Sequence, residues 1–205
     1  MKRLHFCSIA VFFLVTGCAT SNFNKVDPEE ISLGVSDRAS VIEAVGNPER
    51  KYVSKLYGYS EPIEQVTHSY IRAEKVNGDL YYFYREQSLQ FANDVLVGYT
   101  FVSGFPDEST RFDIRKARHI KPGETTVDEV VELLGPPAGE RIAPFSCKDS
   151  ARDLIYKFYY DLRVQVNENY EFEYDFVTKK NLMLVVQFDD DEVVTRLAPK
   201  DICPG

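Results

Sequence analysis

The amino-acid sequence predicts an α+β fold built as two tandem modules, each with two short helices followed by an antiparallel β-meander. Three observations carry that expectation. The stretch "ISLGVSDRASVIEAVGNP" at 31–48 returns 89 positions later as "IKPGETTVDEVVELLGPP" at 120–137, with identities at Ile31/Ile120, Gly34/Gly123, Val41/Val130, Glu43/Glu132, Gly46/Gly135 and Pro48/Pro137. Each copy reads as a helix with its own start and stop signals. Behind each, alternating apolar and polar runs are separated by Asn-, Asp- and Gly-containing turns. With 44% hydrophobic and 27% charged residues in 205, the chain has enough apolar material for a packed core, which argues against global disorder.

Residues 1–17 read as a secretory signal peptide and stand outside the fold. Lys2 and Arg3 precede a ten-residue apolar run, Phe6 to Val15. A membrane-spanning helix needs about 20 apolar residues. "VTGC", Val15 to Cys18, resembles the bacterial lipobox, in which the Cys is acylated and becomes the new N-terminus; Val15 stands where Leu is usual. Cys18 is therefore the expected lipidation (palmitate) site, and 18–26 the lipidated Cys with a polar tether. One acyl chain holds weakly, whereas a diacylated Cys with a further amide-linked chain holds in effect permanently. Ala19 follows, where Asp signals inner-membrane retention in lipoproteins of this kind, so the expected address is the outer membrane, facing the periplasm. Loss of Lys2 and Arg3 takes the formal charge from −8 to −10. So acidic a chain is a poor nucleic-acid binder.

The first module is expected over 27–104. "DPEEIS" offers Asp27 as N-cap and Pro28 at the first helical position. Asp37 (or Ser36) caps the next helix, whose apolar face is Val41, Ile42 and Val45. Gly46-Asn47-Pro48 stops it. "HSYIRAEKV" and "DLYYFYRE" flank Asn77-Gly78, a two-residue hairpin signal. "SLQF" and "VLVGYTFV" flank "AND". A linker is expected at "SGFPDEST", residues 103–110.

The second module is expected over 105–205. "FDIRKARHI" offers Asp113 as a cap. Thr126 and Glu129 have capping-box spacing, Val130, Val131, Leu133 and Leu134 share one face, and Gly135-Pro136-Pro137 stops the helix. "DLIYKFYYDLRVQV" leads through "NEN" to "YEFEYDFV", then "KKN" to "LMLVVQF" and "DDDE" to "VVTRLAP". Cys7 leaves with the signal and Cys18 takes the lipid. Cys147 and Cys203 remain in an oxidising compartment and are expected to form a disulfide, the alternatives being free thiols or a metal pair. In the chain-entropy model that closure contributes about 4 kcal/mol.

The pattern Ile31, Gly34, Val41, Gly46, Pro48, repeated as Ile120, Gly123, Thr125, Val130, Gly135, Pro137 and set on a lipoprotein, resembles the BamE (SmpA/OmlA) family. Its members are small outer-membrane lipoproteins of the β-barrel assembly machinery. The family has one module and this chain two; the tandem arrangement is similar to the β-lactamase-inhibitor-protein fold. The resemblance implies a non-enzymatic periplasmic protein-interaction module in envelope assembly or maintenance. Its implied partner is an envelope protein, with an outer-membrane assembly component as the instance. The alternative is an inhibitor-like module that binds and blocks a periplasmic enzyme.

No catalytic set is expected. His68 and His119 sit in neither a metalloprotease motif nor beside a nucleophile elbow, and no Gly-rich phosphate loop is present. Neither cofactor nor metal is expected. "FDDDE", Phe188 to Glu192, lacks the Gly and distal Glu of an EF-hand and reads as a charged turn. Arg111, Arg115, Lys116, Arg118 and Lys121 form a basic stripe and are candidates for anionic lipid contact; the bland reading is a solvated helix face. Tyr170, Phe172 and Tyr174 alternate with acidic residues and are candidates for an interaction face, against core packing.

Overall fold

The computed structural model describes residues 23–55, 62–76, 79–146, 150–163 and 178–199. In chain order come helix α1 (Arg38–Val45) and strands β1 (Arg50–Lys55), β2 (Pro62–Val76), β3 (Asp79–Ala92) and β4 (Val95–Ser103). Two 3-10 segments follow, at Pro106–Glu108 and Ile114–His119, then helix α2 (Val127–Leu134). Strands β5 (Gly139–Ile142), β6 (Arg152–Arg163), β7 (Thr178–Phe188) and β8 (Val194–Ala198) complete the order.

All eight strands form one antiparallel sheet in the order β1 to β8. This overturns the expected α+β architecture of two helix-plus-meander modules. The fold is β-rich: a single continuous sheet with two short α-helices among the described residues. The joint is β4–β5, where Gly98, Tyr99 and Thr100 face Arg141, Glu140 and Gly139. The physical reason is edge satisfaction. Two separate meanders would each leave unpaired N–H and C=O groups along an inner edge, and pairing β4 with β5 satisfies both.

Two local expectations also change, and a third lies beyond the described residues. "DPEEIS" is a single turn rather than a helix, closed by Glu30 N–H to Asp27 O and by Glu29 N–H to Asp27 Oδ1. Lys179, Lys180 and Asn181, expected as a turn, lie in β7 opposite Leu162, Asp161 and Tyr159. Asn77-Gly78 lies outside the described residues, between the paired Val76 and Asp79.

The two echoing stretches do share local geometry. Asp37 Oδ1 accepts from Ser40 N–H at 3.0 Å, and Thr126 and Glu129 form a capping box. Gly34 and Gly123 have φ of +77° and +78°, Gly46 and Gly135 +88° and +85°, all in the left-handed region that favours glycine. The N–H groups of Gly34 and Gly123 donate to Leu96 O and Val194 O, tying each helix start to a strand. Val41 and Val45 then pack on Val66, Leu89, Phe91 and Leu96. Val127, Val130 and Leu134 pack on Leu154, Tyr156, Val186 and Phe188. Thr126→Ala is expected to lose about 1 kcal/mol, read from the denaturant midpoint.

The 103–110 segment is tied to the sheet. Phe105 is buried, stacks on Tyr70 at 6.0 Å and lies under the Arg85 guanidinium at 4.6 Å. Thr110 Oγ1 donates to Lys157 O at 2.9 Å.

Candidate functional site

Side chains alternate across the sheet, and α1 and α2 both pack on the face that carries Val66, Leu89, Leu154 and Val186. The register places three transverse rows on the other face. One runs Gln65, Gln90, Gly98, Arg141, Asp153, Gln187. The next runs Thr67, Ser88, Thr100, Gly139, Ile155, Val185. The third has Ser69, Glu86 and Val102 on one side of the joint and Lys157 and Met183 on the other.

A cleft of ≈ 140 Å³ opens on these rows, and its lining includes both Gln65 of β2 and Met183 of β7. In a flat sheet those strands would stand about 24 Å apart. One small cleft can touch both only because the sheet curls, so the helix-free face is concave.

Charges in the cleft are paired. Arg141 Nε meets Asp153 Oδ2 at 2.7 Å with side chains 3% and 0% exposed, and Ser150 Oγ donates to Asp153 Oδ1 at 2.6 Å. Lys157 Nζ lies 3.9 Å from Glu86 Oε1, and the Tyr159 hydroxyl donates to the same carboxylate.

Beyond the cleft, β4 ends opposite Arg85 and β5 starts opposite Ile155. The β2–β3 and β6–β7 hairpins run on past both, as two arms at one end of the sheet. A tyrosine closes the crotch. Tyr84 OH donates to Tyr159 O at 3.0 Å and accepts from Tyr159 N–H at 2.9 Å, standing in for the strand that β6 lacks there. Gly104 makes room, since a Cβ on it would stand 2.6 Å from the Tyr84 ring. Burial pushes the Tyr84 phenol up to about 12, and burial with the Glu86 charge drives Tyr159 higher still. Both stay protonated donors at neutral pH. Tyr84→Phe removes the hydroxyl that serves the Tyr159 N–H and C=O and is expected to cost about 2 kcal/mol in denaturant melts. Because the folded phenol holds its proton above the ordinary value of 10.0, its contribution is complete below that pH and is lost as pH rises through about 12. Alkaline melts should show the loss, and Tyr84→Phe should blunt it.

The basic stripe lies on and around the 3-10 segment Ile114–His119, and its five cations are exposed. They are not all available. Arg115 holds Asp113 in a two-pronged pair, pulling that carboxyl down to about 2, and Lys121 Nζ meets Glu124 at 3.1 Å. Arg111 lies over the Phe158 ring at 5.8 Å. A wider, shallower depression beside α2 brings Lys116 and Lys121 together with Glu124, Glu129 and Glu132, so the stripe faces mixed charge.

Cys18, Cys147, Cys203, Tyr170, Phe172 and Tyr174 lie outside the described residues. His68 Nε2 sits 3.1 Å from Gly46 O, at the end of α1, and its buried Nδ1 has no hydrogen-bond partner among the described residues. His119 accepts from Arg118 Nε at 3.1 Å. Asp189 of the "FDDDE" run folds back on its own turn, its Oδ1 accepting from Asp191 and Val193 N–H. Among the described residues no group of three His, Cys, Asp or Glu side chains is placed to hold a metal, and no helix is long and apolar enough to cross a membrane.

The chain matches no protein-family profile and no curated protein. Among solved structures it is similar to a "putative beta-lactamase inhibitor protein" from Streptococcus mutans. The two share 10% identity over 81% of this chain and 83% of that one, with a TM-score of 0.41. So slight a likeness carries no argument about fold or function. The motif resemblance at 31–48 and 120–137 therefore has no family-level match behind it.

Proposed function

We propose that this chain is a non-enzymatic lipoprotein of the outer membrane, anchored at Cys18, that binds an envelope protein through the arm end of its sheet. One observation carries the docking site. Tyr81 on β3 and Tyr160 on β6 are 49% and 63% exposed on arms that outrun β4 and β5, while Tyr84 and Tyr159 just below are buried. Tyrosine supplies large, rigid contact area with a polar tip, and it is enriched among residues that dominate binding energy. In the sequence, the residues between β6 and β7 include Tyr170, Phe172 and Tyr174. The basic stripe supports a weaker contact with anionic headgroups through Lys116 and Arg118, with Arg115 and Lys121 committed to neighbours.

The test is photo-crosslinking in intact cells from probes at positions 81 and 160. One envelope protein should be captured at both, and Tyr81→Ala with Tyr160→Ala should release it from native-gel complexes. Capture of lipid alone would sink the reading. Capture of an enzyme whose activity falls on binding would establish the inhibitor alternative.

A further inference from the structure

We propose that the cleft on the concave face is a binding site for one neutral saccharide ring. The argument starts from Gln90, which is 4% exposed and lines the cleft. Among the described residues its carboxamide has no hydrogen-bond partner. Its two donors and two lone pairs face the cleft and are not sealed from solvent, so water can meet them there and a group that displaces that water must replace its bonds. Whatever occupies the cleft must serve them.

The sequence makes room for this amide. Gly98 faces Gln90 across β3–β4, and a Cβ there would lie 2.8 Å from Gln90 Oε1. Gly98 is absent from the positive-φ glycines, so space rather than backbone conformation calls for it. Gln65 stands directly opposite Gln90 on β2, and Thr100 opposite Ser88 on β4. Gln65 and Thr100 also make no side-chain hydrogen bond to the described protein, while Ser88 shares one with Thr67 at 3.3 Å. Two amides and two hydroxyls thus present donors and acceptors side by side.

Charge and shape narrow the ligand. Among the described residues Arg141 pairs with Asp153 and Lys157 with Glu86, so these four charges cancel and give an ion little reward for leaving water. Val102, Ile155, Met183 and Phe145 supply an apolar wall. An acyl chain would satisfy that wall and strand the amides. A nucleobase would want two flanking rings, and Phe145 is the one aromatic among the described lining residues. A pyranose matches both surfaces: each hydroxyl donates and accepts, and its C–H face is apolar. The ≈ 140 Å³ is roughly ten times the space one water needs, which suits a single ring. The site is separate from the arm-end tyrosines, so it stands or falls independently of them.

The experiment is a calorimetric and NMR titration of the full lipidated chain in a sugar-free zwitterionic detergent. The probes are glucose, galactose, N-acetylglucosamine and N-acetylmuramic acid amide, with glucuronate, glucosamine and a neutral blocked tripeptide as comparators. At least one neutral sugar should bind saturably and shift the Gln90 amide resonances. Gln90→Leu should weaken it about tenfold, the loss of one well-made hydrogen bond. Gly98→Ala, which displaces the amide without removing it, should weaken binding as well. Gln90→Leu removes no side-chain hydrogen bond to the described protein, so its thermal midpoint should not fall, which separates lost binding from lost folding. The proposal is overturned if no neutral sugar binds, if the charged analogues or the tripeptide bind more tightly, or if both variants bind like the parent chain.

Discussion

Gly139→Ala is expected to cost about 3 kcal/mol or more, a large share of a domain's net stability of roughly 5–15 kcal/mol. A Cβ at Gly139 would stand 2.1 Å from Tyr99 O and 2.6 Å from Thr100 Cα. Both are backbone atoms, so no rotamer change relieves the overlap. Relief requires β4 and β5 to separate, and their three-residue pairing is what joins the two halves of the sheet. Gly123→Ala makes the contrast. Gly123 sits at φ +78° with nothing within 4 Å of a built Cβ, so its cost is backbone strain of about 1–2 kcal/mol. Steric overlap with backbone should outweigh that strain. Urea denaturation of both variants decides it, and a Gly139→Ala variant no less stable than Gly123→Ala would show that the joint is looser than its geometry.

That joint is also where sequence reading stops. Caps, hinges and stops were legible because they are local: Thr126 with Glu129, Gly34 with Gly123, Gly46 with Gly135 each act within one or two turns. The long strands announced themselves by alternation. β5 is "GERI" and β1 is "RKYVSK". Each is too short and polar to show a period, yet β5 alone turns two meanders into one sheet. The repeat was a sound guide to local geometry and a poor one to architecture, because edge pairing is a long-range event that no repeat encodes. The concave face was missed for a related reason. "EQSLQ" shows Glu86, Ser88 and Gln90 at period two, and "GYT" shows Gly98 and Thr100. Each alone reads as a solvated strand face. Only the register sets Gln90 against Gly98 and Gln65, and only sheet curl turns the row into a cleft. The basic stripe was legible as charge, while the Asp113 and Glu124 pairings that reduce it depend on side-chain placement.

Arg141→Met is the second change with a large expected effect, about 3–5 kcal/mol. It removes the guanidinium 2.7 Å from Asp153 and leaves a carboxylate with 0% exposure, held in part by Ser150. Desolvation, rather than the lost attraction, sets that cost: the Coulombic gain of a buried pair is largely offset by taking two charges from water, but a buried carboxylate that loses its guanidinium keeps the penalty without that gain. The double variant Arg141→Met, Asp153→Leu should therefore recover most of the loss. Ser150 Oγ can then donate to Arg152 O at 2.8 Å or Phe188 O at 3.2 Å, so its hydroxyl is not stranded. Stability of the parent, both single variants and the double gives a coupling energy. A coupling below about 1 kcal/mol would place the pair with solvated surface pairs and contradict its burial. A large coupling with a stable double variant would mean that the pair fixes register in the middle of the concave row. Asp153 and Arg141 face each other across β5–β6. A one-residue slip of β5 there would turn Arg141 onto the helix-packed face, toward Leu154 and Val186 and away from Asp153.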